Sequence, residues 1–320
     1  MFDVISIGSA TADVFVHIPK TFSSKDMCVF HPGTKVDIEE MDYFTGGGAT
    51  NTSVSFSRLG LKAGALCSVG DDASGIKVLN VLRKEKVNTS LVHTLQGKNT
   101  SYSVILTGFG KDRVVLCYSK ATASLGETKL DFTKLKAKWF YITSLHSKPE
   151  LLKNIILRAK KTGARIAWNP GQKELSLGFK KLKKIVGSVD ILIVNKEEAL
   201  KLTGSADIHR NLEKLLELAE TAVITEGKHG AHAANDTYIY SIKAFKIKPL
   251  DVTGAGDAFG SGFTTAIIKG KGIDDALVYG TVNSNSVISH LGTKNVLPTE
   301  QGIKIFLKKY GRPKLKRQKI

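Results

Sequence analysis

The sequence predicts an α/β protein, three layers deep, built on a mostly parallel sheet with helices on both faces and a second small sheet outside it. Three observations carry this reading. From residue 138 to 225, short apolar runs alternate with segments of helical period, the pattern of parallel strands covered on both sides. Two glycine-rich stretches, Gly46-Gly47-Gly48 and Gly254-Ala255-Gly256, each open a helix. Residues 14–44 and 98–120 show short apolar runs broken by Pro and Gly, with little helical period, as strands and loops would.

The elements follow in order. Residues 2–8 read as a buried strand, and the excursion 14–44 contains Pro19, Pro32 and Gly33. A helix with Val54, Phe56, Leu59 and Leu61 on its apolar positions leads to a strand at Ala63–Val69 and a helix at 76–87. Two apolar runs, 101–107 and 112–118, are joined by Gly108-Phe109-Gly110-Lys111, a hairpin signal. Strands are expected at 138–143, 164–168, 190–194 and 222–225, with helices at 149–162, 179–186 and 207–219. A hairpin at 231–242, a helix from Gly256 to about Gly270, and helices at 273–290 and 299–309 close the chain. No internal repeat or low-complexity linker divides it.

Composition bounds the function. The 320 residues are 42% hydrophobic and 24% charged, which suits a soluble globular chain with a large core. No apolar run approaches a membrane span, and the start, Met1-Phe2-Asp3-Val4, has no basic leader segment. Cys28, Cys67 and Cys117 are odd in number and far from any metal spacing, as in a reducing cytoplasm. The net charge is +18, and the stretch Lys308–Lys319 contains no acid. Without a zinc, helix-turn-helix or aromatic-interleaved basic motif, nucleic acid is not the expected partner. The charge suits an anionic nucleotide.

Chemistry concentrates in Asp251-Val-Thr-Gly254-Ala255-Gly256-Asp257-Ala-Phe259-Gly-Ser-Gly-Phe263. Apolar and small residues at Ala255, Ala258, Phe259, Gly262, Phe263 and Ala266 share one helix face. The glycines allow a ligand close to the backbone, and first-turn N–H groups attract anions. Asp257 stands beside them, either complementing the helix dipole or accepting a proton from a hydroxyl. Asn51, behind the triple glycine, offers both a donor and an acceptor. Asn195-Lys-Glu-Glu198 reads first as a capping box, with two oxygen-bearing side chains on one helix face as the second reading. Thr225-Glu-Gly227-Lys-His-Gly230 joins a strand to a turn, and Asn283 and Asn285 lie on the penultimate helix.

These strings resemble the two signatures of the ribokinase family, the PfkB-type carbohydrate kinases. D-x-T-G-A-G-D-A-F-x-x-G-F is similar to the C-terminal one. G-G-G-A-T-N-T-S-V-S-F-S-R-L-G is similar to the N-terminal one. The resemblance implies a ribokinase-like α/β/α domain over residues 1–320, with a lid formed by about 14–44 and 98–120 and a basic C-terminal tail at 308–320. It implies transfer of the ATP γ-phosphate to a hydroxyl of a sugar or nucleoside, with Asp257 as base and the Gly254-Ala255-Gly256 amides as anion hole. Asp13, Gly47 and Asn51 would bind the acceptor. Asn195, Thr225, Gly227, Gly256 and Asn283 would meet the nucleotide, and Asn195 and Glu198 would organise Mg2+. A monovalent cation and a homodimer through the lid also belong to the family's repertoire.

Departures concern the acceptor. Thr11 and Gly48 replace an Asn and a Lys of ribokinases proper, and Ser144-Leu-His146 lacks their carboxylate. Asn169-Pro-Gly-Gln172 is similar to the D-P-G-Q of some adenosine kinase relatives. Phe15, Phe30 and Phe44 offer faces for a nucleobase or simply pack the lid. The expected acceptor is a ribose-like ring carrying a hydroxymethyl group. No P-loop, dinucleotide fingerprint or protein-kinase motif occurs. The alternative is a non-catalytic relative that senses a nucleotide or sugar.

Overall fold

The strands of the two main sheets are, in chain order, β1 (Phe2–Ile7), β2 (Thr11–His17), β3 (Glu40–Gly46), β4 (Ala63–Leu66), β5 (Ser101–Thr107), β6 (Val114–Tyr118), β7 (Ala137–Ile142), β8 (Arg165–Trp168), β9 (Val189–Asn195), β10 (Ala219–Thr225), β11 (Ala231–Ala234), β12 (Tyr238–Ile242) and β13 (Leu315–Lys319). This is a computed structural model, and it describes the chain apart from residues 20–22, 25–26, 109–112, 128–129 and 147. The large sheet runs β13-β12-β11-β10-β9-β8-β7-β1-β4. Its pairings from β4 to β10 are parallel, and those from β10 to β13 antiparallel.

Side-chain alternation makes the sheet the middle layer. On β7, Trp139 and Tyr141 enter one core while Phe140 and Ile142 enter the other, because successive strand residues face opposite ways. Helices Pro149–Thr162, Phe179–Val186 and Ile208–Leu215 cover the second core. Helices α1 (Gly48–Arg58), α2 (Ala255–Ile268) and α3 (Ile273–Ile288) cover the first, through Phe56, Phe263 and Leu277. Strands buried on both faces need the near-continuous apolar runs seen in the sequence.

The small sheet runs β6-β5-β2-β3. β2 lies parallel to β5 and antiparallel to β3, and β5 and β6 pair as the expected hairpin. The hairpin's turn, residues 109–112, falls outside the described residues.

Three readings need correction. The single strand expected at Ala63–Val69 is two pieces. β4 joins the large sheet, whereas Ser68–Gly70 pairs in parallel with His93–Leu95. The helix expected at 76–87 begins at Ala73, because Asp72 caps it by accepting from the Gly75 amide at 2.8 Å. The basic tail contains β13, an edge strand on β12. Its charged side chains suit a sheet edge, where they discourage pairing with another chain. Among the described residues, no helix is long and apolar enough to cross a membrane.

Helix α2 approaches the sheet through its glycines. An added Cβ at Gly260 would stand 2.0 Å from the Tyr141 hydroxyl oxygen. Gly260→Ala is therefore expected to cost about 1–3 kcal/mol of stability through overpacking, measured as a lower urea midpoint at unchanged slope.

Candidate active site

Two helix starts meet at the C-terminal edge of the parallel strands. Gly47 caps α1 with φ 96°, and a Cβ there would lie 2.6 Å from the Ser9 carbonyl oxygen. Gly254 caps α2 with φ 78°. Both positions demand the left-handed region, which only glycine enters at little cost. The two helices then bring Asn51 and Asp257 together: Asn51 Nδ2 donates to Asp257 Oδ2 at 2.8 Å. Thr293 Oγ1 donates to Asn51 Oδ1, also at 2.8 Å. That second bond fixes which end of the amide faces the carboxylate.

Asp257 lines two cavities. One, of about 260 Å³, has Gly47, Asn51, Gly254 and Thr293 on the main-domain side and Thr11, Asp13, Ser103, Ile105 and Arg113 on or beside the small sheet. The other, of about 280 Å³, is lined by Asn169, Asn195, Glu198, Thr225 and Gly256. Gly256 and Thr225 also line a third space of about 90 Å³, together with Gly227, Phe259 and Asn285. The three spaces therefore share walls in a row, with Asp257 at the first junction and Gly256 at the second. An added Cβ at Gly256 would meet no protein atom within 4 Å.

The electrostatics follow from depth. Burial raises the Asp257 carboxyl above its ordinary range, opposed by the Asn51 amide and by Lys294. Burial likewise raises Glu198, opposed by its hydrogen bond from the Asn195 amide. Asp13 is buried on β2 and accepts from Thr11 Oγ1 at 2.9 Å.

Asn195 and Glu198 form the capping box: Asn195 Oδ1 accepts from the Glu198 amide at 2.9 Å, and Glu198 Oε2 from the Asn195 amide at 2.8 Å. Both nevertheless line the 280 Å³ cavity. Mg2+ retains most of its waters and needs few protein oxygens. One partly buried carboxylate and one amide on a cavity wall fit that demand.

Several expected residues lie elsewhere or are engaged. Asn283 is 0% exposed, and its Nδ2 donates to Ser55 Oγ at 2.9 Å and to the Ala258 carbonyl at 2.6 Å. It ties α1, α2 and α3 together inside the core. Asn285, two residues on, lines the third space instead. The Ala255 amide donates to the Val252 carbonyl at 3.2 Å, so an anion would have to compete for it. Gly256 and Asp257, next in the first turn, have no carbonyl a full turn earlier within the helix to accept from them. Phe15 is buried and meets Phe44 edge-on at 5.5 Å; among the residues lining the 260 Å³ cavity, none is aromatic. Sequence reasoning missed Arg113, Thr293 and Lys294, which carry no motif of their own.

Comparison with known proteins identifies the family and the fold. The description "pfkB family carbohydrate kinase" matches residues 1–300. A ribokinase of Haemophilus influenzae is 25% identical over 312 residues, covering 94% of this chain and 97% of its own. A nucleoside kinase of Methanothermobacter thermautotrophicus is 25% identical over 315 residues, covering 97% of each. A crystal structure from E. coli, of a protein provisionally named ribokinase II and solved with ATP and Mg2+, superposes with a TM-score of 0.81. It has 19% identity and covers 97% of this chain and 100% of its own. With a family match over nearly its whole length, the chain belongs to the pfkB family of carbohydrate kinases.

Proposed function

We propose that this kinase transfers the γ-phosphoryl group of ATP to a hydroxymethyl hydroxyl of a sugar or ribonucleoside. The observation that carries the reading is the place of Asp257, on the wall common to a polar cavity and to the glycine-edged cavity beside it. Asp13 and Asn51 accept from and donate to the acceptor's hydroxyls, setting one of them against Asp257. A charged acceptor such as Asp13 makes short, strong bonds to sugar hydroxyls. Asp257 takes the proton as the oxygen attacks the γ-phosphorus, and ADP leaves. A carboxyl raised by burial is the better base near neutral pH.

The nucleotide lies along Asn195, Thr225, Gly227 and Gly256, its phosphates at the first turn of α2. Positive helix-terminal charge and backbone N–H groups favour the transferring phosphoryl there. Mg2+, held through water by Asn195 and Glu198, would neutralise phosphate charge. The small sheet closes over the acceptor and excludes water, which limits transfer to solvent. The intact Gly254–Asp257 stretch favours catalysis over a mere sensor.

The lid sheet also gives a motive for a homodimer. Leu116 on the edge strand β6 is 55% exposed and Tyr43 on β3 53%. A single species of monomer mass in sedimentation velocity at tens of micromolar would remove the dimer.

Asp257→Asn is expected to lower turnover by roughly 10² to 10⁴, scored as phosphoryl transfer from ATP; near-normal turnover would sink the assignment. The same variant has a stability signature. A carboxyl raised on folding binds more protons in the native than in the unfolded chain, so its contribution to stability falls as pH rises from about 4 through the folded-state value. At neutral pH the parent bears a cost that it does not bear near pH 4, and the Asn variant bears none at either pH. Its Tm is expected to equal or exceed the parent's at pH 7, with the difference closing toward pH 4. For the acceptor, a panel of pentoses, hexoses, sugar phosphates and nucleosides discriminates. Activity confined to sugar phosphates or to hexoses overturns the ribose-like assignment.

A further inference from the structure

Lys294 is 6% exposed, in the connection between α3 and the helix Glu300–Tyr310. Lysine is almost never buried without a partner acid. Among the described residues, the hydrogen bond of its ammonium goes to the carbonyl of Thr45, at the end of β3, and no carboxylate lies within 4.0 Å. A neutral amide could serve that carbonyl equally well. The charge therefore needs a reason that the hydrogen bond does not give.

The surroundings supply one. Thr45 precedes the Gly46–Gly48 turn, and Thr293, next to Lys294, holds the Asn51 amide on Asp257. The charged and titratable groups that Lys294 senses are Asp13 on β2, Asp257 on α2, the Cys67 thiol after β4, and Glu85 after the helix Ala73–Lys84. Glu85 is already held by Arg58 at 2.8 Å through two parallel bonds, and burial pushes the Cys67 thiol up to about 12. Asp257 in turn faces Asn51, Lys294 and the buried Tyr141 hydroxyl. Arg113 reaches the same cavity from the small sheet. This leaves Asp13 and Asp257, two acids on one cavity wall, as the groups whose charge Lys294 balances.

We propose that Lys294 is a positioning residue for the phosphoryl transfer: its buried ammonium, anchored on Thr45 beside the cavity wall that carries both acids, keeps Asp257 ionised, so that the base is ready while Asp13 holds the acceptor. The inference rests on the reading of Asp257 as the base. It also accounts for a charge that opposes folding. Burial lowers Lys294 to about 8, with Asp13 and then Asp257 resisting the shift. Between about pH 8 and the ordinary lysine value the unfolded chain binds the extra proton, so this group's contribution to stability rises with pH across that window. At neutral pH the fold carries the unfavourable charge, as functional sites often do.

Two variants test the proposal: Lys294→Gln, which keeps a donor for Thr45 without the charge, and Lys294→Met, which removes both. The readout is kcat/KM against pH from 5 to 9 with the best acceptor of the panel. In both variants the acid limb is expected to move up by roughly one pH unit, with the plateau above it within a few-fold of the parent's. Tm at pH 7 is expected to hold or rise, since an apolar or neutral group replaces a buried charge. Superimposable limbs in parent and Lys294→Gln overturn the proposal, because the hydrogen bond alone would then suffice. Should the residual activity of Asp257→Asn keep the parent's acid limb, the reading of Asp257 fails by itself. A limb that vanishes with Asp257 but ignores Lys294 defeats the Lys294 inference alone.

Discussion

The hydrogen bond from Asn51 to Asp257 spans 206 positions of sequence, and the rest of the site depends on it. It forms only because α1 and α2 both begin at the same edge of the large sheet, each through a glycine in the left-handed region. Helix starts cluster there as a consequence of parallel strands: every crossover returns the chain to one side, and the strands' C-terminal ends share one rim. Side chains supplied by two remote segments become neighbours without either helix bending. Thr293 completes the arrangement from a third segment, so the amide cannot flip without losing a bond at each end.

That convergence has an electrostatic cost. Asp257 and Lys294 are displaced in opposite directions, the acid upward and the amine downward, and burial is the leading cause of both. Each shift means that the ionised form is disfavoured relative to water. A fold selected for stability alone would place apolar groups at such positions, because a buried charge carries a desolvation cost that apolar packing avoids. The small and polar packing nearby points the same way. Ser55, Ser261 and Asn283 hydrogen-bond inside the helix layer, and no partner is seen for Asn283 Oδ1 among the described residues. Hydroxyls and glycines let α1, α2 and α3 approach closely, which sets the separation of Asn51 and Asp257 at hydrogen-bonding distance.

What could be read from the sequence follows from which features are local. The alternation of strands and helices is a periodicity, and it survived in the structure with boundary shifts, one of them where Asp72 caps a helix. The glycine stretches announce themselves because a left-handed turn leaves a compositional trace. Asn283 illustrates the limit. Being on the right helix was legible, but the 100° step between helix positions decides between cavity and core, and Asn285 is on the cavity side. Lys294 and Arg113 were illegible for another reason: lysine and arginine in a chain of net charge +18 are expected on the surface everywhere. The strand β13 was masked by its charges, since an edge strand needs few apolar residues and Leu315 is the one that packs inward.

The cavities divide labour between the two sheets, and this bears on why relatives with different acceptors can share one frame. Asn195, Thr225 and Gly256 lie on the large sheet and its helices, whereas Asp13, Ser103, Ile105 and Arg113 lie on the small sheet or at its margin. On the proposed reading, substitutions at Ser103, Ile105 or Val115 would alter the lining of the acceptor cavity, whereas the first turn of α2 is set by the large sheet's side. A ribokinase and a nucleoside kinase are each 25% identical to this chain, so overall identity does not choose between them. The acceptor-side wall here combines two acids with the Arg113 guanidinium, and its apolar part is aliphatic, Ile105 and Val115. Such a wall suits a polyhydroxylated ring held by directed hydrogen bonds, as proposed above, and a flat base placed there would rest on branched side chains with no aromatic partner among the lining residues. On the proposed reading of this cavity as the acceptor's, selectivity between sugar and nucleoside would turn on how far Ile105 and Val115, both on strands of the small sheet, can open.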